Sequence, residues 1–357
     1  MGTDVGVRVG ETYSPYPISS DAVSLNLRRV VVDTAFGPVV VRTGRTAPDA
    51  SAPATILLHG AAGSWTTWTP LLQASDDAGT PLTDVVALDM PGWGESALPV
   101  LTDTDTGTVT DTGTVTDTGT VTDTGTETET DTGTVTVEVM GAVVEEVARA
   151  LGYTSWRVIG HSLGGFIALD LAARAPRATL SVDLVSGTGR AVLETIREPL
   201  RGGRRLPWFL GMLVAMRAIA PFGGGRGNGT SGLPGQRGIA VVGWLQRVRL
   251  LRWLASPLFV RPADIDESVL VALAAEVRPV SFGLACRAAA AYDDHRWAAI
   301  TCPVRSLRGE HDVFVGDGDA AAFAERIADF QEIRLEGAGH FAAVERPAAV
   351  LAQITAG

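Results

Sequence analysis

The stretch that most constrains this chain is Gly160-His161-Ser162-Leu163-Gly164. Arg157-Val158-Ile159 before it predicts a short buried strand, and Phe166–Ala173 after it predicts a helix. A serine on so sharp a strand-to-helix turn has strained backbone, so the residues two before and two after it must be tiny. Gly160 and Gly164 meet that need, and Gly165 lets the helix begin close to the strand. Such a turn lifts the serine oxygen above a sheet, where a base can reach it, and points the following N–H groups at one spot. The motif has no second match in the chain. The plainer alternative is a serine that only caps the helix after the turn.

Around this turn, short apolar strands alternate with helical patterns, which predicts a mostly parallel sheet covered by helices on both faces. Arg28–Thr34 and Pro38–Thr43 flank Ala35-Phe36-Gly37 as a hairpin. Ala54–Leu58 is a strand ending at His59-Gly60, Trp65–Ala74 a helix, and Asp84–Asp89 a strand closed by Met90-Pro91-Gly92-Trp93-Gly94-Glu95-Ser96. Met140, Val143, Val144, Val147 and Leu151 mark one helical face, ended by Gly152. After the serine strand come strands at Leu180–Val185, Val304–Leu307 and Glu332–Leu335, and helices at Ala320–Ala328 and Pro347–Ile354.

Two regions break the alternation. Over residues 102–136 the unit Asp-Thr-Gly-Thr-Val-Thr recurs with period six. One valine per six residues is too little apolar surface to repay ordering, so an acidic loop is expected rather than a β-solenoid or calcium repeat. Residues 190–300 read as helical, with apolar Leu206–Pro221 and Ile239–Val260 separated by glycine-rich Gly223–Gly238. Arg217, Arg247, Arg249 and Arg252 interrupt those runs and argue against a membrane span. A helical lid over the sheet is expected, with a helix pair lying on a membrane surface as the alternative. The expected organisation is thus a disordered tail (1–27), core (28–101), repeat loop (102–136), core (137–189), lid (190–300) and core (301–357).

Composition narrows the chemistry. At 357 residues and 46% hydrophobic content, the chain can bury a large core. Net charge is −11, but the repeat holds eight acids and no base, leaving −3 elsewhere. No basic stripe stands out on that reckoning, which argues against nucleic acid as a partner. Lysine is absent, which excludes Schiff-base chemistry and a lysine-bearing phosphate loop. Cys286 and Cys302 are too few and too far apart for a disulfide framework or a C-x-x-C site. With no secretory signal in Met1–Ser20, free thiols and a cytoplasmic location are expected.

A serine hydroxyl needs a base, usually an imidazole held in one tautomer by a carboxylate. Of the five histidines, His340 directly follows a strand on a glycine-rich loop, at the sheet edge where the serine turn opens. His59 and His161 read as structural, His311 sits beside a candidate acid, and His295 has no supporting context.

At this point the sequence resembles the α/β-hydrolase superfamily, in its lid-bearing members. The resemblance rests on His59-Gly60, Asp89–Ser96, Gly160–Gly165, Gly309-Glu310-His311-Asp312 and Gly339-His340, in the family's order. It implies Ser162 as nucleophile, Asp312 as orienting acid, His340 as base, and an oxyanion hole of the Ala61 and Leu163 N–H groups. Asp317 and Asp319 are the substitutes if Asp312 is only a turn residue. Serine rather than aspartate at 162 argues against the dehalogenase and epoxide-hydrolase branches and for acyl chemistry.

The expectation is a serine hydrolase with no cofactor and no metal, esterase- or lipase-like, acting on a small-molecule acyl ester. Trp208, Phe209, Leu210, Met212, Leu213 and Met216 suggest an apolar substrate, unless they only pack against the core. The same triad would serve an acyltransferase, a perhydrolase or a carbon–carbon bond hydrolase. A non-catalytic ligand receptor on the same fold is the alternative from another class.

Overall fold

The computed structural model describes residues 7–9, 25–44, 52–98, 135–203, 206–223 and 250–355. Residues 102–134 of the repeat, most of the N-terminal tail, and 224–249 of the helical region lie outside them. At the front edge, β1 (Val7–Val9) pairs antiparallel with β2 (Leu27–Thr34), and β2 with β3 (Gly37–Gly44) in the expected hairpin, Val30 opposite Val41. The strand at Val7–Val9 corrects the expectation of a wholly disordered tail over 1–27: its backbone pairs with the otherwise open edge of β2.

The serine region is built from β4 (Ala54–Leu58), a 3-10 turn at Trp65–Trp68, α1 (Thr69–Asp77), β5 (Val85–Leu88), α2 (Val137–Ala150), β6 (Trp156–His161), α3 (Leu163–Arg174) and β7 (Thr179–Val185). A helical segment follows: α4 (Arg190–Arg197), α5 (Pro199–Gly202), α6 (Pro207–Gly223), α7 (Leu250–Ala255), α8 (Glu267–Ala275) and α9 (Pro279–Ala291). The chain then returns to the sheet with β8 (Val304–Gly309), α10 (Asp317–Arg326), β9 (Phe330–Leu335), α11 (Ala342–Glu345) and α12 (Pro347–Thr355). Thr136, the last residue of the expected repeat loop, is the N-cap of α2, its side chain accepting from Val139 N at 3.2 Å.

The sheet order is β1-β2-β3-β5-β4-β6-β7-β8-β9, with every pairing from β5 to β9 parallel. Alternation within the central strands feeds two cores. Leu57, Val85, Ala87, Ile159, Val185 and Leu307 face Trp65, Trp68, Leu71, Ala342 and Val350 on one side. Ile56, Leu58, Val86, Leu88, Val158, Val182 and Val304 face Met140, Val144, Phe166, Ile167 and Trp297 on the other. Burial on both faces is why these strands read as continuous apolar runs.

Polar anchors tie the helical segment to this frame. The buried Asp319 carboxylate accepts from Ala191 N at 2.8 Å, and buried Asp170 accepts from Tyr292 Oη at 3.1 Å. Arg278 donates to the carbonyls of Gly92 and Gly94 at 3.2 and 2.7 Å, and Glu276 accepts from Gly94 N at 2.9 Å.

Candidate active site

Strand β4 has β5 on one side and β6 on the other, so successive crossovers leave it in opposite directions. Loops leaving the carboxyl ends of β4 and β6 therefore diverge and open a crevice, the usual ligand position in such a sheet. One wall is Leu58-His59-Gly60-Ala61; the other is Gly160–Gly164. The two walls touch. A methyl on Gly164 would lie 2.2 Å from Leu58 O, and one on Gly160 would lie 2.5 Å from Gly164 O. Both contacts are with backbone, which explains the glycine spacing.

Ser162 stands at φ 51°, ψ −118°, a region that costs a non-glycine residue on the order of 1–3 kcal/mol. Its side chain makes no capping bond to α3, so the helix-cap alternative does not describe it. Its N–H donates to Val185 O at 3.4 Å, and its carbonyl accepts from Gly165 N at 2.9 Å and Thr188 N at 3.3 Å, so backbone contacts hold the strained turn from both sides. Across the crevice, Gly60 lies so close that a methyl on it would sit 2.8 Å from Ser162 Cβ. The N–H of Ala61 follows Gly60 on one wall, and that of Leu163 opens α3 on the other. Among the described residues neither has an acceptor.

The acid and the imidazole meet at the ends of β8 and β9. His340 Nδ1 lies 3.0 Å from Asp312 Oδ1 and 3.2 Å from Oδ2, and both side chains are buried. Phe314 N and Val315 N also donate to Asp312 Oδ1, at 2.8 and 3.2 Å. Burial alone would raise the Asp312 pKa. The charge and hydrogen bond of His340 and the Phe314 amide outweigh it, and the carboxyl is held below its ordinary value. The Ser186 hydroxyl lies near enough to add to that lowering, though outside hydrogen-bond geometry. Asp317 instead pairs with Arg308 and Arg334 at the surface, and Asp319 caps α10 and α4, so neither substitute acid reaches an imidazole. Among the described residues no hydrogen bond joins Ser162 Oγ to the His340 ring. The serine and the acid–imidazole pair share one sheet edge, linked through His161, whose Nε2 donates to His340 O at 3.0 Å.

Residues 55–354 match the model of the alpha/beta hydrolase family. The chain belongs to that family. A curated relative, the dihydrolipoyllysine-residue acetyltransferase component of an acetoin cleaving system from Cupriavidus necator, is 31% identical over 134 residues. The match covers 38% of this chain and only 26% of that protein. Among solved structures, naproxen esterase from Bacillus subtilis has a TM-score of 0.59 at 16% identity, covering 94% of each chain. The epoxide hydrolase CorEH has a TM-score of 0.58 at 18% identity, covering 92% of this chain and 98% of that one. At such identities these likenesses establish the alpha/beta hydrolase fold, and the chemistry has to be read from the site residues.

In this family member His59 and His161 are framework residues, as expected. Met90 N donates to His59 Nε2 at 2.9 Å, so its proton sits on Nδ1, facing Gly60 O at 2.7 Å. Burial lowers the His59 pKa to about 4 and that of His161 to about 3, so both stay neutral. His311 is exposed, 3.6 Å from Glu310. His295 is exposed too, where Asp293 and Asp294 bring possible cation ligands within 4.8 Å of one another. The Asp89–Ser96 motif is a clamp. Asp89 accepts from Trp65 N and Glu95 N, both at 3.0 Å, and Ser96 Oγ accepts from Val40 N at 2.9 Å. Burial drives the Asp89 pKa up to about 7, against the pull of those amides and of Arg42.

Two positions escaped the sequence reading. Leu258, just after α7, accepts from His340 N at 3.0 Å. Glu345 of α11 accepts from Gly339 N at 2.6 Å through Oε2 and from Val260 N at 2.6 Å through Oε1, so it straps the His340 loop to the helical segment. A glutamate in a helical stretch reads as a solvated face, and only the fold brings Val260 to it. From α6, Phe209 packs edge-on to Phe314, which packs edge-on to the His340 ring at 4.4 Å. Between Thr66, Thr67, Phe341 and the α8 residues Val269, Ala272 and Leu273 lies a cavity of about 10 Å³, room for one water.

Proposed function

We propose that this alpha/beta hydrolase cleaves a carboxylic ester through an acyl-enzyme, with Ser162 as nucleophile, His340 as base and Asp312 as orienting acid. The observation that carries the reading is the 3.0 Å Asp312–His340 hydrogen bond at the sheet edge where Ser162 is held in strained backbone. Asp312 accepts the Nδ1 proton, so Nε2 is free to take the proton of Ser162 Oγ as that oxygen attacks the ester carbonyl. The N–H groups of Ala61 and Leu163 receive the developing oxyanion; one such donor is typically worth about 3–4 kcal/mol of transition-state stabilisation. Collapse expels the alcohol with the proton from Nε2, and water, deprotonated by the same nitrogen, then releases the acid. No cofactor or metal enters these steps.

The carbonyl-directed serine favours this reading over attack on an epoxide. Phe209, Leu258 and Phe314 around the imidazole favour an apolar small-molecule acyl or alcohol group. The acetyltransferase name of the partial relative supports acyl transfer to an alcohol or thiol as a second reading on the same triad. Ser162→Ala is the test: it should abolish hydrolysis of chromogenic esters and labelling by a fluorophosphonate without lowering Tm. Undiminished labelling of the variant overturns the assignment, and product partitioning with added alcohol or thiol separates transfer from hydrolysis.

A further inference from the structure

The near-balance of charge outside the repeat conceals a second segregation. Between Pro199 and Ala263 the chain has ten arginines and no aspartate or glutamate, so with a total of −11 the remainder carries −21. The chain thus carries an acid-free arginine run that the overall charge balance hides. This run contains α5, α6 and α7.

The same elements leave apolar surface uncovered. Helix α6 has one charged residue, Arg217, among 17, and a helix apolar all round belongs in a core or against hydrocarbon. One side is packed, with Phe209 buried against Phe282 and Phe314. The opposite side, Gly211, Val214 and Ala215 at three- and four-residue spacing, is exposed. Helix α7 exposes Trp253 by 70% and Leu254 by 47%, and α5 exposes Leu200 by 91%. Of the seven large hydrophobic side chains exposed among the described residues, six fall between Leu200 and Val280. α6 and α7 share a neighbour: Leu258, just after α7, packs against both the Phe209 and the Phe259 clusters. Among the described residues no single helix is long and apolar enough to cross a membrane, so such a face would lie on a bilayer.

We propose that α5, α6 and α7 form a docking face for an anionic lipid bilayer. Leu200, Val214, Trp253 and Leu254 enter the headgroup boundary, where an indole is favoured, and the exposed Arg217 and Arg261 meet lipid phosphates. Charge decides the occupant. An acid-free arginine run attracts an anionic surface, while the −21 of the remainder is repelled by it, so binding is also orienting. Exposed aliphatic residues favour lipid over nucleic acid, which pairs arginines with polar groups and stacking rings. Leu258, three residues beyond α7, accepts from the His340 N–H, so the docked helix is joined through a short turn to the candidate site. The proposal does not depend on the ester-hydrolysis reading.

Co-sedimentation of the full chain with phosphatidylcholine vesicles, with and without phosphatidylglycerol, tests it at low and high salt. Binding to the anionic vesicles should exceed binding to neutral ones by about tenfold or more, and high salt should abolish the difference. Trp253→Ser with Leu254→Ser, and Arg217→Glu with Arg261→Glu, should each cut anionic binding by about tenfold, with circular dichroism and Tm monitoring the fold. No preference of the unmodified chain for anionic vesicles overturns the proposal, and that comparison needs no variant to fold. Well-folded variants that bind like the parent also overturn it, as does binding to an RNA oligomer with none to vesicles.

Discussion

Gly60→Ala tests whether the two walls of the crevice must touch. The added methyl would lie 2.8 Å from Ser162 Cβ, 2.9 Å from His161 Nδ1 and 3.2 Å from His161 O. Carbon–carbon contact is comfortable at about 3.5–4.0 Å, so the walls must separate by roughly 1 Å. Buried His161 cannot swing aside, because its Nε2 is committed to His340 O. The Ala61 N–H and Ser162 therefore move apart, and a donor set for an oxyanion at about 2.9 Å falls outside hydrogen-bond range. Loss of one donor predicts a fall in kcat of about 10²–10³. The overpacking should cost about 1–3 kcal/mol of stability, leaving a folded protein. Gly283→Ala is the control: in α9 the nearest atom to its added methyl is Arg287 Nη1 at 3.8 Å, so stability should rise by about 0.5–1 kcal/mol with kcat unchanged. The assay is kcat and KM on a short chromogenic ester beside thermal unfolding of both variants. A folded Gly60→Ala protein with kcat within threefold of the parent would refute the oxyanion geometry.

Other perturbations probe the remaining parts. In Asp312→Asn, Phe314 N and Val315 N keep the amide oxygen at the Oδ1 position, which can still accept from His340 Nδ1, but the Oδ2 position becomes an NH2 beside the same nitrogen and the negative charge that steadies the imidazolium is lost; kcat should fall by several orders of magnitude with Tm little changed, and near-parental kcat would place the acid elsewhere. Asp89, raised from 3.8 to about 7, keeps its proton in the folded chain after the unfolded chain has lost it. Stability should therefore fall as pH rises from about 4 to 7. Asp89→Asn should lower stability overall but remove up to one proton, about 1.4 kcal/mol per pH unit, from that slope, as measured by urea unfolding against pH; an unchanged slope assigns it to Asp183 or another buried acid. Glu345→Gln turns an NH2 toward one of two amides that now donate to a carboxylate, loosening the His340 loop. We expect kcat to fall about tenfold with KM nearly constant, whereas a loss confined to Tm would make the strap merely structural.

Sequence alone determined the serine turn, the parallel sheet and the order of strands and helices. These follow from local rules: glycine where backbones nearly touch, period two or 3.6 where one face is buried, and unbroken apolar runs where both are. It also yielded His340 as a candidate, because it follows a strand at the sheet edge where the serine turn opens, while Asp312 came only with the family resemblance of Gly309-Glu310-His311-Asp312. Tertiary structure decided what chain separation hides. It brought Asp312 to His340 over 28 residues and sent Asp317, an aspartate only five positions further on, to Arg308 and Arg334. It made Val7–Val9 a strand by supplying an open edge, and gave Glu345 a task by placing Gly339 and Val260 within reach of one carboxylate. A side chain's intrinsic preference is set by its neighbours along the chain. A buried donor or acceptor takes whichever partner the fold places within about 3 Å, and the sequence carries no such distance.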